Sequence, residues 1–480
     1  MGLLYIATYA KQEIKKNLLD IELRILDANF DGKNSPVQTS RGYHLGLNES
    51  ELTAELLSYK PDIVGISNNF TYLVEDVLEI CRITKKVLPD CLQIVGGAHA
   101  TIAHMGLIEV PEIDIICRGE GELTFWEIIS SNYKNIGMEN IQGITYQKDG
   151  KVIENPDRPR IMDLDMLPIP DRSLIPYEKY IKSVGYEITT MNKPIGMIFS
   201  SRGCPFNCVF CSTQKVWSNV WRGRSPENII EEIEYLISNY GVKEICFQDD
   251  QFVWDKKRIL ELCRLILEKK LNISFMMPPG TSPALLDENV LMMMRKAGLY
   301  RITFSVDVGT EKSKAFVKKP VKLDKIRGLI KIANSMGLLT TGSFVIGFPD
   351  ETEADIEEML EFAYNLRLDN LSLYIAQPYL GSRLYDMYLE KGLISQSIGK
   401  EFYNMTESHI GTEHISSDRL QEIRDLAVQR YFKIYCMRLF NPGYFIKEFL
   451  PKIYSKKNFL YFMRVVASFI KNTIKTKLNA

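Results

Sequence analysis

Apolar positions along the chain fall into two α/β series. In the first, short apolar runs alternate with amphipathic ones. Helices are expected over Gly2–Gln12, Glu49–Tyr59, Tyr72–Val87 and Glu122–Ser130. Strands are expected over Ile21–Leu26, Asp62–Ser67, Leu92–Gly97 and Asp114–Cys117. Short apolar strands separated by helices predict a parallel sheet with helices on both faces. Asp149-Gly150 between two short strand patterns predicts a closing hairpin.

The second series begins at Ile195. Strands are expected over Ile195–Ser200, Glu244–Phe247, Ile273–Met277, Ile302–Val306, Thr340–Ile346 and Leu371–Ala376. Between them, Ser225 is suited to cap a helix and Pro226 to open it, and Ile229, Ile230, Ile233, Leu236 and Ile237 form one apolar stripe. Further helices are expected over Lys256–Glu268, Asp287–Ala297, Leu323–Met336 and Glu353–Leu366. Six strands with intervening helices predict a (β/α)6 partial barrel of the TIM type. In such barrels chemistry belongs at the C-terminal ends of the strands. Five prolines between Asn155 and Thr190 mark a linker. The division expected is residues 1–150, a linker over 151–194, the barrel over 195–400, and a helical, basic region over 401–480.

Composition sharpens this picture. The chain has 480 residues, 45% hydrophobic and 25% charged, which suits a soluble protein of two or three domains. Nine cysteines, odd in number and mostly scattered, do not resemble a secreted disulfide framework. No signal-peptide pattern opens the chain and no run of eighteen apolar residues occurs. A reducing cytoplasm is the expected location.

The net charge of −1 hides an asymmetry. From Arg430 to Ala480, eleven Lys or Arg face one acid, Glu448, a local charge of +10 that leaves −11 for the rest. Within this tail Phe459–Ile470 is apolar except for Arg464 and Ser468, too short to span a bilayer. It suits either a basic amphipathic helix on the inner membrane face or a helix packed on the barrel. No nucleic-acid-binding module accompanies the charge.

The candidate chemistry centres on Cys204, Cys208 and Cys211, spaced C-x3-C-x2-C on one short loop. Three thiolates there can hold three irons of a [4Fe–4S] cluster and leave the fourth open. Structural zinc would call for a fourth ligand, from a second knuckle or a histidine, and none lies nearby in sequence. Plain packing cysteines are the remaining alternative.

This loop closely resembles the signature of radical S-adenosylmethionine (SAM) enzymes. Phe247-Gln-Asp-Asp-Gln-Phe252 stands where that family binds the amino group of SAM, which implies Asp249 and Asp250 as acceptors. Ser305-Val-Asp-Val-Gly309 resembles a segment that usually reads Gly-Ile-Glu-Ser, with Asp307 in place of the longer Glu. Phe344-Val-Ile-Gly-Phe-Pro-Asp-Glu-Thr352 implies a close approach of adenine to Gly347 and a place for Phe210 beside it. Glu351 and Thr352 read as caps of the following helix. Gln377-Pro-Tyr-Leu-Gly381 resembles the turn at the barrel mouth.

The N-terminal series resembles the cobalamin-binding domains that precede some radical SAM barrels, a doubly wound, Rossmann-like fold. The resemblance rests on Gly2-Leu-Leu-Tyr-Ile-Ala7, Pro61–Ser67, Ile94-Val-Gly-Gly-Ala-His-Ala100 and Arg118-Gly-Glu-Gly-Glu122. It implies Ser67, Gly96, Gly97 and Glu120 as cobalamin contacts. Two departures stand out. No Asp-x-His-x-x-Gly occurs, so a histidine ligand to cobalt is not expected, and His99 reads as an exposed loop residue. Relatives also have a strand and a Pro-rich loop before the Gly2–Ala7 motif, where this sequence opens on the helix.

Together the resemblances imply a two-cofactor enzyme. Its cluster would cleave SAM to a 5′-deoxyadenosyl radical, with an electron from a flavodoxin- or ferredoxin-like donor. Cobalamin would relay a methyl group to an unactivated carbon of a small or lipid-like substrate. Radical rearrangement or oxidative cyclisation without methyl transfer is the alternative chemistry. A cobalamin- or SAM-binding protein without turnover is the alternative outside enzymes.

Overall fold

The computed structural model describes residues 1–32, 37–39, 42–130, 137–183, 190–395, 406–454, 458–461 and 463–464. Two compact units emerge. One comprises Met1–Met162, Met166–Tyr177 and Lys215–Trp217; the other comprises Asp163–Asp165, Glu178–Gln214 and Ser218 onward.

The first unit is built on a five-stranded sheet. Strands Ile63–Ser67, Leu92–Gly96 and Ile115–Cys117 run parallel, and Ile144–Lys148 and Lys151–Glu154 add antiparallel in sequence order. Alternating side chains divide its core. Val95 and Ile116 face the helix Val74–Val87 through Val77 and Cys81, while Ile94, Ile115 and Cys117 meet Ile128 of helix Gly121–Ser130 on the other face. Helices on both faces make the sheet doubly wound. The helix Glu49–Tyr59 begins at Asn48, whose side chain accepts from Glu51 N–H while the Glu51 carboxylate receives Asn48 N–H.

The strand expected over Ile21–Leu26 does not form; this segment is irregular. Its alternation serves helix packing instead. Ile21 and Leu23 lie against Ala10, Ile14 and Ile129, and Leu26 lies against Leu52 and Leu56; Ile63 and Val64 of the edge strand join the same clusters through side chains, without a described strand pairing.

The second unit holds six parallel barrel strands in two halves. Ile195–Ile198, Glu244–Phe247 and Ser274–Met276 form one. Arg301–Asp307, Leu339–Ile346 and Asn370–Ile375 form the other. Single bridges, Phe275 to Leu299 and Thr281 to Phe304, join the halves. The face under the helices is apolar and closed, as Ile302, Phe304, Val306, Phe344 and Ile346 show with no solvent exposure. Ser225 caps the helix Pro226–Tyr240, as the residue pattern anticipates, and Gly241 ends it in the left-handed conformation.

The barrel floor is polar at one point. The buried Glu244 carboxylate accepts from Tyr300 O–H (2.7 Å), Asn192 N–H (2.7 Å), Met191 N–H (3.1 Å) and Ser274 O–H (3.0 Å). Tyr461 closes this end, its ring edge-on to Tyr300 at 5.6 Å. Part of the C-terminal segment thus packs on the barrel. Phe462 and residues 465–470 of the apolar run lie outside the described residues. No described helix is long and apolar enough to cross a membrane.

Candidate functional site

The cysteine loop leaves the C-terminal end of the first barrel strand, where the fold places chemistry. Cys211 N–H bonds to Cys208 C=O at 3.1 Å, which tightens the turn. Val209 is held from both sides: its N–H bonds to Val317 C=O (3.2 Å) and its C=O receives Leu384 N–H (2.8 Å). All three thiols are partly buried. Burial pushes the Cys204 thiol up to about 11, Cys208 up to about 12, and Cys211 upward as well. Without a cation these groups hold their protons, and iron displaces those protons on binding. Among the described residues no three His, Cys, Asp or Glu side chains converge on a single-ion site. The donor set fits a [4Fe–4S] group with one iron open.

The base of the loop rests on a buried charge network. Asp249 accepts from Ser200 O–H (2.7 Å), Ser201 O–H and Ser200 N–H (3.3 Å). Arg258 bonds Ser200 C=O (2.6 Å) and Arg224 C=O (2.7 Å), and Arg224 pairs with Glu232. Of the two expected ammonium acceptors, then, Asp249 is already engaged in holding the loop. Asp250 is the one whose charge reaches Cys204 and Cys211. Its carboxyl is pushed up to about 6, by burial first and then by Asp249, against Gly203 N–H, which favours the charge.

Asp307 ends the fourth strand with φ of +62°, a left-handed conformation that aspartate tolerates better than most residues. Its carboxylate meets Lys319 in a buried ion pair and accepts from Ser343 O–H at 3.1 Å. The Lys319 charge also reaches Cys208. Sequence reading missed Lys319; only its position in Lys318-Lys319-Pro320, twelve residues past Asp307, could have drawn attention to it.

Gly347 follows the fifth strand with φ of +85°, and a Cβ there would meet Leu420 at 2.6 Å. The following Phe348 ring lies 6.3 Å from Phe210 and 5.3 Å from Phe316. Thr352 caps the next helix as expected, but Glu351 does not. The Glu351 carboxylate turns back and accepts Gly347 N–H (2.7 Å) and Phe348 N–H (3.0 Å). Burial pushes this carboxyl up to about 7.

Inside the barrel, the second half carries hydroxyls in register. Thr303 pairs with Thr341, and Ser305 with Ser343 and then Ser372. Paired residues share a face, here the one opposite the helix-covered Phe304 and Phe344. The first half presents Ile195, Met197, Cys246 and Met276 instead. One wall can therefore donate and accept hydrogen bonds while the other is greasy. The alternation was visible in sequence, but the pairing across strands was not.

In the first unit, Ser67, Gly96 and Gly97 meet at the C-terminal ends of adjacent strands, where doubly wound sheets bind ligands. Gly97 has φ of +111°, and a Cβ would meet Asn68 C=O at 2.6 Å. Asn68 is fully buried, and neither polar atom of its side chain has a partner among the described residues. An orphaned amide beside a glycine edge fits a bound polar group. Phe70 and Tyr72 stack at 5.4 Å on the same loop and remain exposed, which suits an apolar macrocycle. Glu120 turns elsewhere, accepting Ile161 N–H at 2.9 Å. His99 is buried rather than exposed; its Nδ1 meets Thr71 Oγ1 at 3.0 Å, and burial lowers its pKa.

A (β/α)6 barrel with a three-cysteine loop, following in sequence a doubly wound domain with a glycine edge, defines a radical SAM enzyme fused to a cobalamin domain. Comparison with known proteins agrees. Residues 198–363 match the radical SAM superfamily and residues 1–129 the B12 binding domain. An uncharacterized methyltransferase of Pyrococcus horikoshii is 31% identical over 424 residues, covering 88% of this chain and 85% of that one. An anaerobic magnesium-protoporphyrin IX monomethyl ester cyclase of Rubrivivax gelatinosus is 27% identical, covering 90% and 75%. The solved structure of the radical SAM methyltransferase TsrM from Kitasatospora setae, with cobalamin and a [4Fe–4S] cluster bound, shares the fold. Its TM-score is 0.68 at 15% identity, over 92% of this chain and 88% of that one. The chain belongs to the cobalamin-dependent radical SAM methyltransferase family.

Proposed function

We propose that this protein methylates an unactivated carbon of a small molecule, with Cys204, Cys208 and Cys211 as the cluster ligands. The observation that carries this reading is the gathering of the three thiols, Asp250, Lys319 and the Gly347 turn at the same end of one barrel. A [4Fe–4S] cluster supplies the electron that cleaves SAM, and cobalamin supplies methyl-carrying capacity. The protein's part is to bind and orient. Asp250 accepts the SAM ammonium. Lys319, whose charge reaches Cys208, faces the SAM carboxylate, and Asp307 turns to the ribose. The Gly347–Phe348 backbone, held by Glu351, and the Phe210 ring receive the adenine. The Ser67, Asn68 and Gly96-Gly97 edge, with Phe70 and Tyr72, holds the cobalamin. The hydroxyl wall of Thr303, Ser305, Ser343 and Ser372 positions a hydrogen-bonding part of the substrate. A flavodoxin or ferredoxin delivers the electron.

Oxidative cyclisation without methyl transfer is the second reading, and the cyclase among the relatives favours it. Reconstituted protein given SAM and reductant separates the two. Methyl transfer predicts both 5′-deoxyadenosine and cobalamin-dependent S-adenosylhomocysteine. Cyclisation predicts 5′-deoxyadenosine without S-adenosylhomocysteine. A verified cluster that yields neither overturns the enzymatic reading.

A further inference from the structure

The C-terminal helices carry a surface that the barrel chemistry does not use. Helix Ser417–Leu439 packs inward through Leu420, Ala427 and Tyr431, with Tyr431 O–H bonded to Leu368 C=O at 2.6 Å. Its opposite stripe exposes Leu426 midway and turns apolar at the end, where Met437 and the capping Phe440 are exposed. Phe440 is 87% exposed, Met437 63%, and Ile446 on the next turn 61%. The last described turn repeats the pattern. Asn458 and Tyr461 are buried at the barrel floor, while Leu460 and Met463 stand outward. Water disfavours each of these exposures, and five large apolar side chains exposed within 27 residues of chain are among those the barrel leaves uncovered at this end.

Charge names the partner. Lys433, Lys447 and Arg464 are exposed among these side chains. The only acid from Arg430 onward, Glu448, is nearly buried and paired with Arg367. Arg430 pairs with Glu357 and Glu361 and Lys452 with Asp369, whereas Lys433, Lys447 and Arg464 have no acidic partner among the described residues. Exposed apolar side chains beside these three cations match the interface of an anionic bilayer. There, large apolar side chains enter the headgroup–acyl boundary and lysines meet phosphate.

We infer that the C-terminal helices dock the enzyme on anionic membranes through Met437, Phe440, Ile446, Leu460 and Met463, without crossing them. The surface belongs to the far end of the barrel from the cysteine loop, since Tyr461 contacts the strand starts near Glu244. Docking therefore leaves the site mouth free.

The test is flotation of the full-length, cluster-loaded protein with two kinds of vesicle. One is phosphatidylcholine alone; the other is phosphatidylcholine mixed equally with phosphatidylglycerol. Binding is expected only to the second and is weakened by high salt. The pair Phe440→Glu and Ile446→Glu lowers the bound fraction by about tenfold or more, because it removes two inserting side chains and adds two like charges facing the lipid. Formation of 5′-deoxyadenosine stays unchanged, which shows the variant is folded. Lys433→Glu with Lys447→Glu gives an independent loss. Three results overturn the proposal: no binding to phosphatidylglycerol vesicles, equal binding by the first variant pair, or a dimer that the same substitutions dissociate with no vesicle binding.

Discussion

Glu351 shows how much of the SAM site depends on a residue that never reaches the reacting atoms. Its carboxylate is the acceptor for two consecutive backbone N–H groups, Gly347 at 2.7 Å and Phe348 at 3.0 Å, and it is only 7% exposed. Glu351→Ala leaves both donors buried without a partner. Each such orphan costs about 1–3 kcal/mol, so the turn loses roughly 2–6 kcal/mol. Expressed entirely in binding, the lower bound is already about thirtyfold in the SAM dissociation constant, at 1.4 kcal/mol per tenfold. Isothermal titration on cluster-loaded protein measures it, with thermal melting alongside. Glu351→Gln keeps an oxygen acceptor and stays within about threefold of wild type.

The same pair of variants has a pH signature. The carboxyl is held up to about 7 by burial. Between its ordinary value and 7 the folded protein keeps a proton that the unfolded chain has released. Stability therefore falls as pH rises through that window, by at most about 3 kcal/mol, and the Gln variant loses this slope. The reasoning is refuted if the Ala variant binds SAM and melts like wild type. It is equally refuted if Gln is as damaging as Ala, since the charge rather than the acceptor would then matter.

Other substitutions separate ligands from supports. Cys208→Ala is expected to abolish the visible absorbance of the reconstituted cluster; retained absorbance removes Cys208 from the ligand set. Lys319→Ala leaves Asp307 charged and buried, a loss of about 3–5 kcal/mol in denaturant melts, whereas Lys319→Met with Asp307→Asn recovers most of it. Recovery without return of SAM binding supports the assigned roles, and no loss in the single variant argues that the pair is not formed. Asp250→Asn raises the KM for SAM with cluster content unchanged, while Asp249→Ala lowers cluster content itself by releasing Ser200 and Ser201. Equal effects from both would erase the distinction drawn between them.

The barrel was legible in sequence because its strands are short apolar runs between well-capped amphipathic helices. Glu244–Phe247 and Lys256–Glu268 lie where the pattern places them. Ile21–Leu26 misled because alternation reports which side chains are covered, not what covers them, and here the packing comes from helix residues together with Ile63 and Val64, not from a strand ladder. The three cysteines were legible because their spacing is local. Lys319, Glu351 and Asn68 were not, because their importance comes from partners set by the fold. Lys319 needs Asp307 at a strand end, Glu351 needs a chain reversal, and Asn68 needs burial that leaves its amide unmatched. Asp249 and Asp250 look alike in sequence, and only the seryl hydroxyls around the first tell them apart.

The central claim is that one barrel radical and one cobalamin act together in methyl transfer. The most direct test needs no knowledge of the substrate: the cluster-reconstituted protein, with and without cobalamin, is incubated anaerobically with SAM and reductant. 5′-deoxyadenosine and S-adenosylhomocysteine are then quantified together. The account predicts 5′-deoxyadenosine in both samples and S-adenosylhomocysteine only in the cobalamin-loaded one. Failure to take up cobalamin, or 5′-deoxyadenosine with no cobalamin-dependent S-adenosylhomocysteine, contradicts it.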